Sequence, residues 1–242
     1  FEDDMNYYVV MELCRGGALI DKLSRSSDGL RAAEIYKCVA DCAEALGALH
    51  AARLVHWDLK LENILISSTE SAHLADFESV REERTGASRT YSRSASRSGS
   101  AVATRKYEAP EMRAGTVPKA TAASDMYSYG VCALLACCDG SGVVFDAETE
   151  ALQRSWDREH AHAKGGPHLP SLLDELLDLD RPPATSAADA VGRRISAREA
   201  LGRPFLDPAA EREQARLETE AVARKQREAE WEEAERRRAW AE

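Results

Sequence analysis

The stretch HWDLKLENILI, residues 56–66, decides how the rest of this 242-residue chain is interpreted. It places Asp58, Lys60 and Asn63 in one short loop, directly before an aliphatic run that predicts a β-strand. Such a loop can orient a hydroxyl, balance negative charge and supply an oxygen ligand to a metal. Phosphoryl transfer requires these groups, because its catalysis consists largely of positioning and charge neutralisation.

Further motifs follow this loop in a fixed order. Asp76 opens the triplet DFE after another short β-type segment, and the runs YEAPE (107–111) and SDMYSYG (124–130) come later. Mg²⁺ is usually held by one or two carboxylates together with substrate phosphates, which suits Asp76 acting with Asn63. The sequence therefore offers the groups of a phosphoryl-transfer site in separate segments.

In this order, the four segments resemble the catalytic loop, the DFG motif, the APE motif and the start of the large buried helix of eukaryotic-type protein kinases. The run MELCRGG, residues 11–17, is similar to calmodulin-dependent and related calcium-regulated Ser/Thr kinases. The resemblance covers residues 1–206 and begins at what looks like the fifth strand and the hinge. One motif alone would be weak, whereas four in register make coincidence a poor explanation.

The resemblance implies a mainly α fold, a kinase-like C-terminal lobe with a few short strands around the hinge and the catalytic loop. Residues 1–206 would form the partial kinase domain, with an Arg/Ser-rich activation loop at about 84–100. Residues 207–242 are almost wholly charged and predict a single solvated helix. Local patterns predict a strand at 7–13, helices at 32–50, 126–138, 172–177 and 196–201, short strands at 53–55, 63–66 and 73–75, and a loop at 182–192.

The catalytic roles are implied by the resemblance. Asp58 matches the catalytic base and Lys60 matches the cation near the transferred phosphate. Asn63 and Asp76 match the ligands of Mg²⁺. Asp125 would anchor the catalytic loop from beneath, and two further matches are a threonine that braces the catalytic residues, Thr104, and a structural ion pair, Glu111 with Arg194.

The resemblance also implies ATP as a cofactor. Met11 falls at the gatekeeper position, the backbone of Glu12 and Cys14 would bond adenine, and Leu65 would form the floor beneath the base. Cys14 and Leu65 are alternatively plain core residues. The glycine-rich loop, the phosphate-pairing lysine and its glutamate partner are not among residues 1–242. We expect weak ATP binding if the chain is complete as written, and no such weakness if it is part of a longer product.

Several positions depart from the kinase pattern. Trp57 replaces the arginine that in many kinases pairs with a phosphorylated activation loop, and Glu78 replaces the glycine of DFG. A side chain at position 78 restricts the backbone and adds negative charge beside a metal ligand. Other departures are Ala18, where many relatives have glutamate, and Ala103 and Arg105, where glycine and proline are usual. These departures favour weak or lost activity, whereas the retained chemical residues favour an enzyme.

Composition sets broader limits. The net charge of -10 provides no global basic field, so we expect no nucleic-acid partner, and we expect no membrane span because apolar runs are short. The cysteines lie in apolar stretches, which indicates reduced thiols and an intracellular, cytoplasmic protein. Cys38 and Cys42 share a helix face, which could suggest a metal site, but small buried hydrophobic residues are the preferred interpretation.

The sequence therefore predicts a protein Ser/Thr kinase that uses ATP and Mg²⁺ to phosphorylate a protein substrate. The alternative is a catalytically weak or dead pseudokinase scaffold. In that case the charged C-terminal helix and the Arg/Ser-rich loop would recruit partner proteins. A partner at the charged helix is possible under either hypothesis.

Overall fold

The computed structural model describes residues 8–26, 29–83, 105–114, 121–138, 143–145, 152–179 and 185–207, with isolated positions between 209 and 227. The predicted activation loop at 84–100, together with Ala103 and Thr104, lies outside these residues. Most of the predicted charged helix at 207–242 lies outside them too, although its isolated described positions are helical.

Helices dominate the described part of the chain, which confirms the mainly α prediction. Their bounds are α1 Leu19–Arg25, α2 Ala32–Ala51, α3 Pro110–Arg113, α4 Ala122–Cys138, α5 Arg158–Gly165, α6 Leu169–Leu177, α7 Ala187–Arg193 and α8 Ala197–Leu201. Helix α8 begins with a capping box, in which the Ser196 side chain accepts from the Glu199 N–H and the Glu199 carboxylate accepts from the Ser196 N–H.

The strands are short and antiparallel. They are β1 Gly17–Ala18, β2 Leu54–Val55, β3 Ile64–Ile66, β4 Ala72–Leu74, β5 Arg81–Glu82, β6 Val143–Phe145 and β7 Leu152–Trp156. They pair as a three-stranded sheet in the order β1-β3-β4 and as two ribbons, β2 with β5 and β6 with β7. The ends of β2, β3 and β4 hold the loop at residues 56–63 and the DFE triplet, so these small sheets frame the predicted site.

The core lies between α2 and α4. Helix α2 buries one stripe at helical spacing, whereas α4 is buried almost all round, as its continuous apolar sequence requires. The Tyr129 hydroxyl of α4 donates to the Val39 carbonyl oxygen of α2 at 2.9 Å. Cys38, Cys42 and Cys132 are buried in this core with free thiols. The described residues contain no group of three or more His, Cys, Asp or Glu placed to hold a metal.

Helix α6 packs closely against α4 at a glycine. A Cβ added to Gly130 would lie 2.8 Å from the Leu176 Cβ, a separation that packed carbon atoms do not reach without movement. Glycine at position 130 therefore sets the separation between the two helices. Across the described residues, no helix is both long and apolar enough to cross a bilayer.

Two local predictions were wrong. The described residues 8–13 form no strand, and Val9 and Val10 are 83% and 84% exposed, although their β-branched side chains favour strands. A strand requires a hydrogen-bonded neighbour, and the described part of the chain places none beside this run. The predicted loop at 182–192 contains α7 instead, whose first turn is capped by the Ser186 side chain accepting from the Asp189 N–H.

The buried tyrosines should make the free energy of unfolding depend on pH in the alkaline range. Burial raises the pKa of Tyr107 and Tyr129 well above the ordinary value, and it raises the pKa of Tyr127 to about 12. Unfolded tyrosine ionises near pH 10, so the unfolded state releases these protons first. We expect the free energy of unfolding to be steady just below about pH 10 and to fall between about pH 10 and 12. Urea denaturation followed by circular dichroism, with tyrosinate absorbance, measures this.

Two phenylalanine variants test the cause. Tyr129→Phe should make the alkaline loss shallower, whereas Tyr8→Phe, at an exposed position, should leave it unchanged. Stability that stays constant to pH 12 would contradict the prediction.

Candidate active site

The loop at residues 56–63 is held by its own apolar side chains. Leu59 and Leu61 are almost fully buried, and the last three residues of the loop form a turn of 3₁₀ helix that leads into β3. Leu59 and Leu61 alternate with Asp58 and Lys60, whose side chains remain partly exposed. Burying the leucines therefore presents the polar groups between them on one side of the loop.

The structure brings three predicted catalytic residues together. The Lys60 Nζ donates to the Asp58 Oδ2 at 2.6 Å, and the Asn63 Nδ2 donates to the Asp58 carbonyl oxygen at 2.8 Å and to Oδ2 at 3.3 Å. Both donors use the same carboxylate oxygen. Within the described residues, the Asp58 Oδ1 and the Asn63 Oδ1 are therefore the oxygens left to act on a substrate hydroxyl and on a metal.

A buried carboxylate anchors the start of the loop, as predicted for Asp125. Its Oδ2 accepts from the His56 backbone N–H at 2.7 Å and its Oδ1 from the Trp57 backbone N–H at 3.0 Å. The His50 Nε2 lies 3.0 Å from the same Oδ2. Asp125 is 1% exposed, so these contacts replace the hydration that it would have in water. Sequence analysis missed His50, whose only signal was a histidine in the last turn of the preceding helix.

Two residues at the site have a left-handed backbone, which is rare for residues other than glycine. The φ angle is 66° at Trp57 and 61° at Asp76. Such conformations cost free energy and persist where surrounding contacts impose them. Glu78 is not among the residues with positive φ, so its side chain carries no penalty of the kind expected from replacing glycine at that position.

The main chain brings Asp76 next to Asn63. The Ala75 N–H donates to the Asn63 carbonyl oxygen at 2.9 Å, and the His56 Nε2 lies 3.0 Å from the Ala75 carbonyl oxygen. The His56 ring also contacts the Phe77 ring, with centroids 5.5 Å apart. Asp76 itself is exposed. One exposed carboxylate and one amide oxygen fit Mg²⁺ that arrives with nucleotide phosphates, since that ion keeps most of its ligands from water and phosphate.

The predicted adenine-binding residues are less closely assembled. Leu65 is half-buried in β3, between Ala18 of β1 and His73 of β4. The Cys14 carbonyl oxygen accepts from the Gly17 N–H at 3.1 Å, and the turn that this bond closes is joined to β3. That junction is tight, because a Cβ at Gly16 would lie 2.7 Å from the Ile66 carbonyl oxygen.

Met11 and Glu12 are exposed in the extended segment before this turn. Among the described residues, no hydrogen bond joins either of them to the loop at 56–63. Their predicted part in adenine binding therefore stays a prediction.

The segment after the predicted activation loop is fixed by a buried ion pair. The Arg194 guanidinium donates to both oxygens of Glu111, at 2.6 and 2.9 Å, and both side chains are almost fully buried. The predicted contact is present. Just before it, Tyr107 is buried with its hydroxyl beside the Leu61 backbone and the Glu62 carboxylate. Its place within the YEAPE run gives no indication in the sequence of this contact.

The chain is similar in sequence to known proteins. A family model described as a protein kinase domain matches residues 1–206. The chain is 31% identical to 3-phosphoinositide-dependent protein kinase B of Dictyostelium discoideum and 30% identical to CDPK-related kinase 1 of Arabidopsis thaliana, over 74% and 85% of its length. It is 35% identical to Serine/threonine-protein kinase ppk30 of Schizosaccharomyces pombe over 56% of its length.

The chain spans only part of these relatives, and the matched regions cover 19%, 33% and 15% of their lengths. The family match nevertheless extends through the loop at 56–63, which Asp125 anchors, and through the DFE triplet and the Glu111–Arg194 pair. The chain belongs to the protein kinase family.

Proposed function

We propose that this chain catalyses Mg²⁺-dependent transfer of the ATP γ-phosphate to Ser and Thr hydroxyls of proteins. The observation that carries the proposal is the cluster of Asp58, Lys60 and Asn63 on a loop fixed by Asp125. The choice of serine and threonine as phosphate acceptors is supported by the name of one relative, which is called a Serine/threonine-protein kinase. A binding scaffold would have no chemical need for a carboxylate, an amine and an amide at these separations.

The roles follow from which atoms are engaged. Asp58 uses Oδ2 to accept from Lys60 and Asn63, so Oδ1 orients the acceptor hydroxyl and takes its proton. Lys60 is bonded to Asp58, and its ammonium group balances negative charge on the phosphoryl group in transit. Because the loop is buried at its leucines, these groups are preorganised before a substrate arrives.

Asn63 and Asp76 would hold the metal. The Asn63 Nδ2 donates to Asp58, so the Asn63 Oδ1 is the atom that would bind the metal. At Asp76, where β4 has ended, the backbone has a left-handed conformation. Mg²⁺ would neutralise charge on the β- and γ-phosphates. Leu65, with the backbone of Cys14 and Glu12 and the side chain of Met11, would bind the adenine end of ATP.

Metal removal tests the proposal. Purified chain is incubated with γ-labelled ATP and a mixture of dephosphorylated proteins, and labelled amino acids are identified after hydrolysis. We expect label on serine and threonine, loss of label with EDTA, and its return with added Mg²⁺. Asp76→Asn should lower the rate about a hundredfold, because metal charge stabilisation is worth several kcal/mol. Glu82→Gln, an exposed change in β5, should have no effect.

The opposite outcomes are equally clear. Labelling that persists in EDTA would refute the metal dependence. Absence of label under every condition, with the chain folded by circular dichroism, would favour the pseudokinase scaffold.

A further inference from the structure

Glu83, which directly follows β5 and directly precedes the predicted activation loop, bonds to two other elements of the fold. Its backbone N–H donates to the carbonyl oxygen of Arg53, the residue before β2, at 2.7 Å. Its side-chain Oε1 accepts from the N–H of Ala122, the first residue of α4, at 2.9 Å. Glu83 is half-buried, so water competes less for these bonds than at a fully exposed site. One residue therefore joins β2 to α4.

The side-chain contact satisfies a donor that α4 cannot satisfy by itself. The first N–H groups of a helix have no acceptor within the helix. Thr121 and Ser124 serve each other, since the Ser124 N–H donates to the Thr121 Oγ1 at 3.1 Å and the Thr121 N–H donates to the Ser124 Oγ at 2.9 Å. The Ala122 N–H is bound by Glu83 instead, whose negative charge also suits the positive end of the helix dipole. The carboxylate therefore holds the N-terminus of α4.

Strand β2 and helix α4 are the two elements that position the start of the loop at 56–63. Strand β2 ends at Val55, and the loop begins with the next residue, His56. Helix α4 carries Asp125 in its first turn, and the Asp125 Oδ2 accepts from the His56 N–H at 2.7 Å. The loop is therefore held by the chain of β2 on one side and by a side chain of α4 on the other.

Together these contacts form a closed circuit. It runs from Glu83 into β2, from the end of β2 to Asp125, and from Asp125 back through the first turn of α4 to Glu83. The bond between Glu83 and Ala122 closes this circuit across 39 positions of the sequence. If that bond is removed, the first turn of α4 can shift relative to β2, and Asp125 shifts with it.

We infer that Glu83 is a positioning residue, which fixes Asp125 through the first turn of α4 and thereby fixes the loop that presents Asp58. Glu83 acts through these residues and takes no part in the chemistry itself. The inference rests on the proposed function where it concerns catalysis, because Asp58 is the proposed base. Displacing a catalytic group by about 1 Å can lower a rate about a hundredfold, so such a contact can control turnover without touching substrate.

Hydrogen–deuterium exchange tests the positioning without an assay of activity. The 242-residue chain and its variant Glu83→Ala are placed in D₂O, and the peptic peptide that spans residues 54–59 is followed by mass spectrometry. We expect its protected amides to exchange about tenfold faster in the variant, because the His56 and Trp57 N–H groups lose protection when Asp125 shifts. Glu83→Gln keeps an acceptor oxygen at the same position and should restore slow exchange.

A helix cap elsewhere in the fold provides the matched control. The Ser186 Oγ accepts from a first-turn N–H of α7 at 3.1 Å, the same kind of contact that Glu83 makes with α4. Ser186→Ala should cause a similar small loss of thermal stability, but it should leave exchange at residues 54–59 unchanged. Glu82→Ala, which removes the neighbouring exposed carboxylate, should change neither quantity.

Turnover is measured separately with γ-labelled ATP. In Glu83→Ala, kcat should fall about tenfold while the KM for ATP stays within about twofold, because a displaced base slows the transfer step and leaves nucleotide binding unchanged. Glu83→Gln should recover most of the kcat, and Ser186→Ala should keep all of it. A contact that only stabilised the fold would leave kcat unchanged in folded protein. If Glu83→Ala fails to fold, Glu83→Asp replaces it, since its carboxylate is one methylene shorter and should give the same changes to a smaller extent.

Exchange and turnover are scored separately. The inference is overturned if exchange at residues 54–59 is unchanged in the folded alanine variant, is not restored by Glu83→Gln, or rises equally in Ser186→Ala. Unchanged kcat in Glu83→Ala also overturns it and leaves the proposed function intact. If the unsubstituted chain transfers no phosphate but exchange follows the expected pattern, the proposed function fails and the positioning of the loop by Glu83 stands.

Discussion

Replacing Asp58 with asparagine is expected to reduce phosphate transfer about a thousandfold while the chain remains folded. Asparagine keeps the shape of the side chain but cannot accept the hydroxyl proton, and a positioned general base contributes about 10²–10⁴ in rate. The amide also loses the charge that holds the Lys60 ammonium at 2.6 Å, so that group becomes free to move. Initial rates of label transfer from γ-labelled ATP to the dephosphorylated proteins measure the effect, and thermal denaturation checks the fold.

The matched control is Glu159→Gln, which removes one exposed carboxylate from α5. It should have the activity of the unsubstituted chain. Activity of Asp58→Asn within a few-fold of the unsubstituted chain would remove Asp58 from the mechanism and with it the main support for an enzyme.

Sequence spacing predicted which side chains of the loop at 56–63 lie together, because that cluster is local. Asp58, Lys60 and Asn63 lie in one loop, and a loop this short between two strands leaves little freedom in where its side chains meet. The helices also followed from periodicity where their apolar stripes were long, as in α2. Asp125 could be assigned because its motif matched a known family, and the structure shows both of the backbone N–H groups that it accepts from.

The missed features depend on contacts that no local pattern contains. Residues 8–13 have strand propensity but no neighbouring strand among the described residues, and propensity alone does not pair a strand. Helix α7 was hidden by the prolines that precede it, although the Ser186 cap was visible in the sequence. His50 meets Asp125 only after α2 and α4 have packed together, so its role comes from tertiary structure.

The left-handed backbone at Trp57 could not be predicted from the sequence either. A large aromatic side chain gives no indication of positive φ, and we attribute the conformation to Asp125, which holds the consecutive N–H groups of His56 and Trp57. The backbone strain at Trp57 is therefore maintained by the buried Asp125 carboxylate. Removing the carboxylate should release the strain and misplace the base.

Asp125→Ala is accordingly expected to lower the free energy of unfolding by about 2–3 kcal/mol, the largest stability effect that we predict. The change leaves two backbone N–H groups at His56 and Trp57 without their acceptor, and each buried unsatisfied donor costs about 1–3 kcal/mol. Relaxation of the Trp57 backbone offsets part of this loss, since such strain is worth about 1–3 kcal/mol. Urea denaturation followed by tryptophan fluorescence gives the difference.

Asp157→Ala is the matched control, because Asp157 also accepts from a backbone N–H, that of His160 at 2.8 Å, but does so at an exposed helix cap. Its expected cost is about 1 kcal/mol. Phosphate transfer should separate the two variants further: relaxation of Trp57 moves Asp58, so Asp125→Ala should lose activity even at temperatures where it remains folded, whereas Asp157→Ala should keep it. Equal stability losses, or full activity in folded Asp125→Ala, would show that the loop holds its shape without the carboxylate and that the strain at Trp57 has another origin.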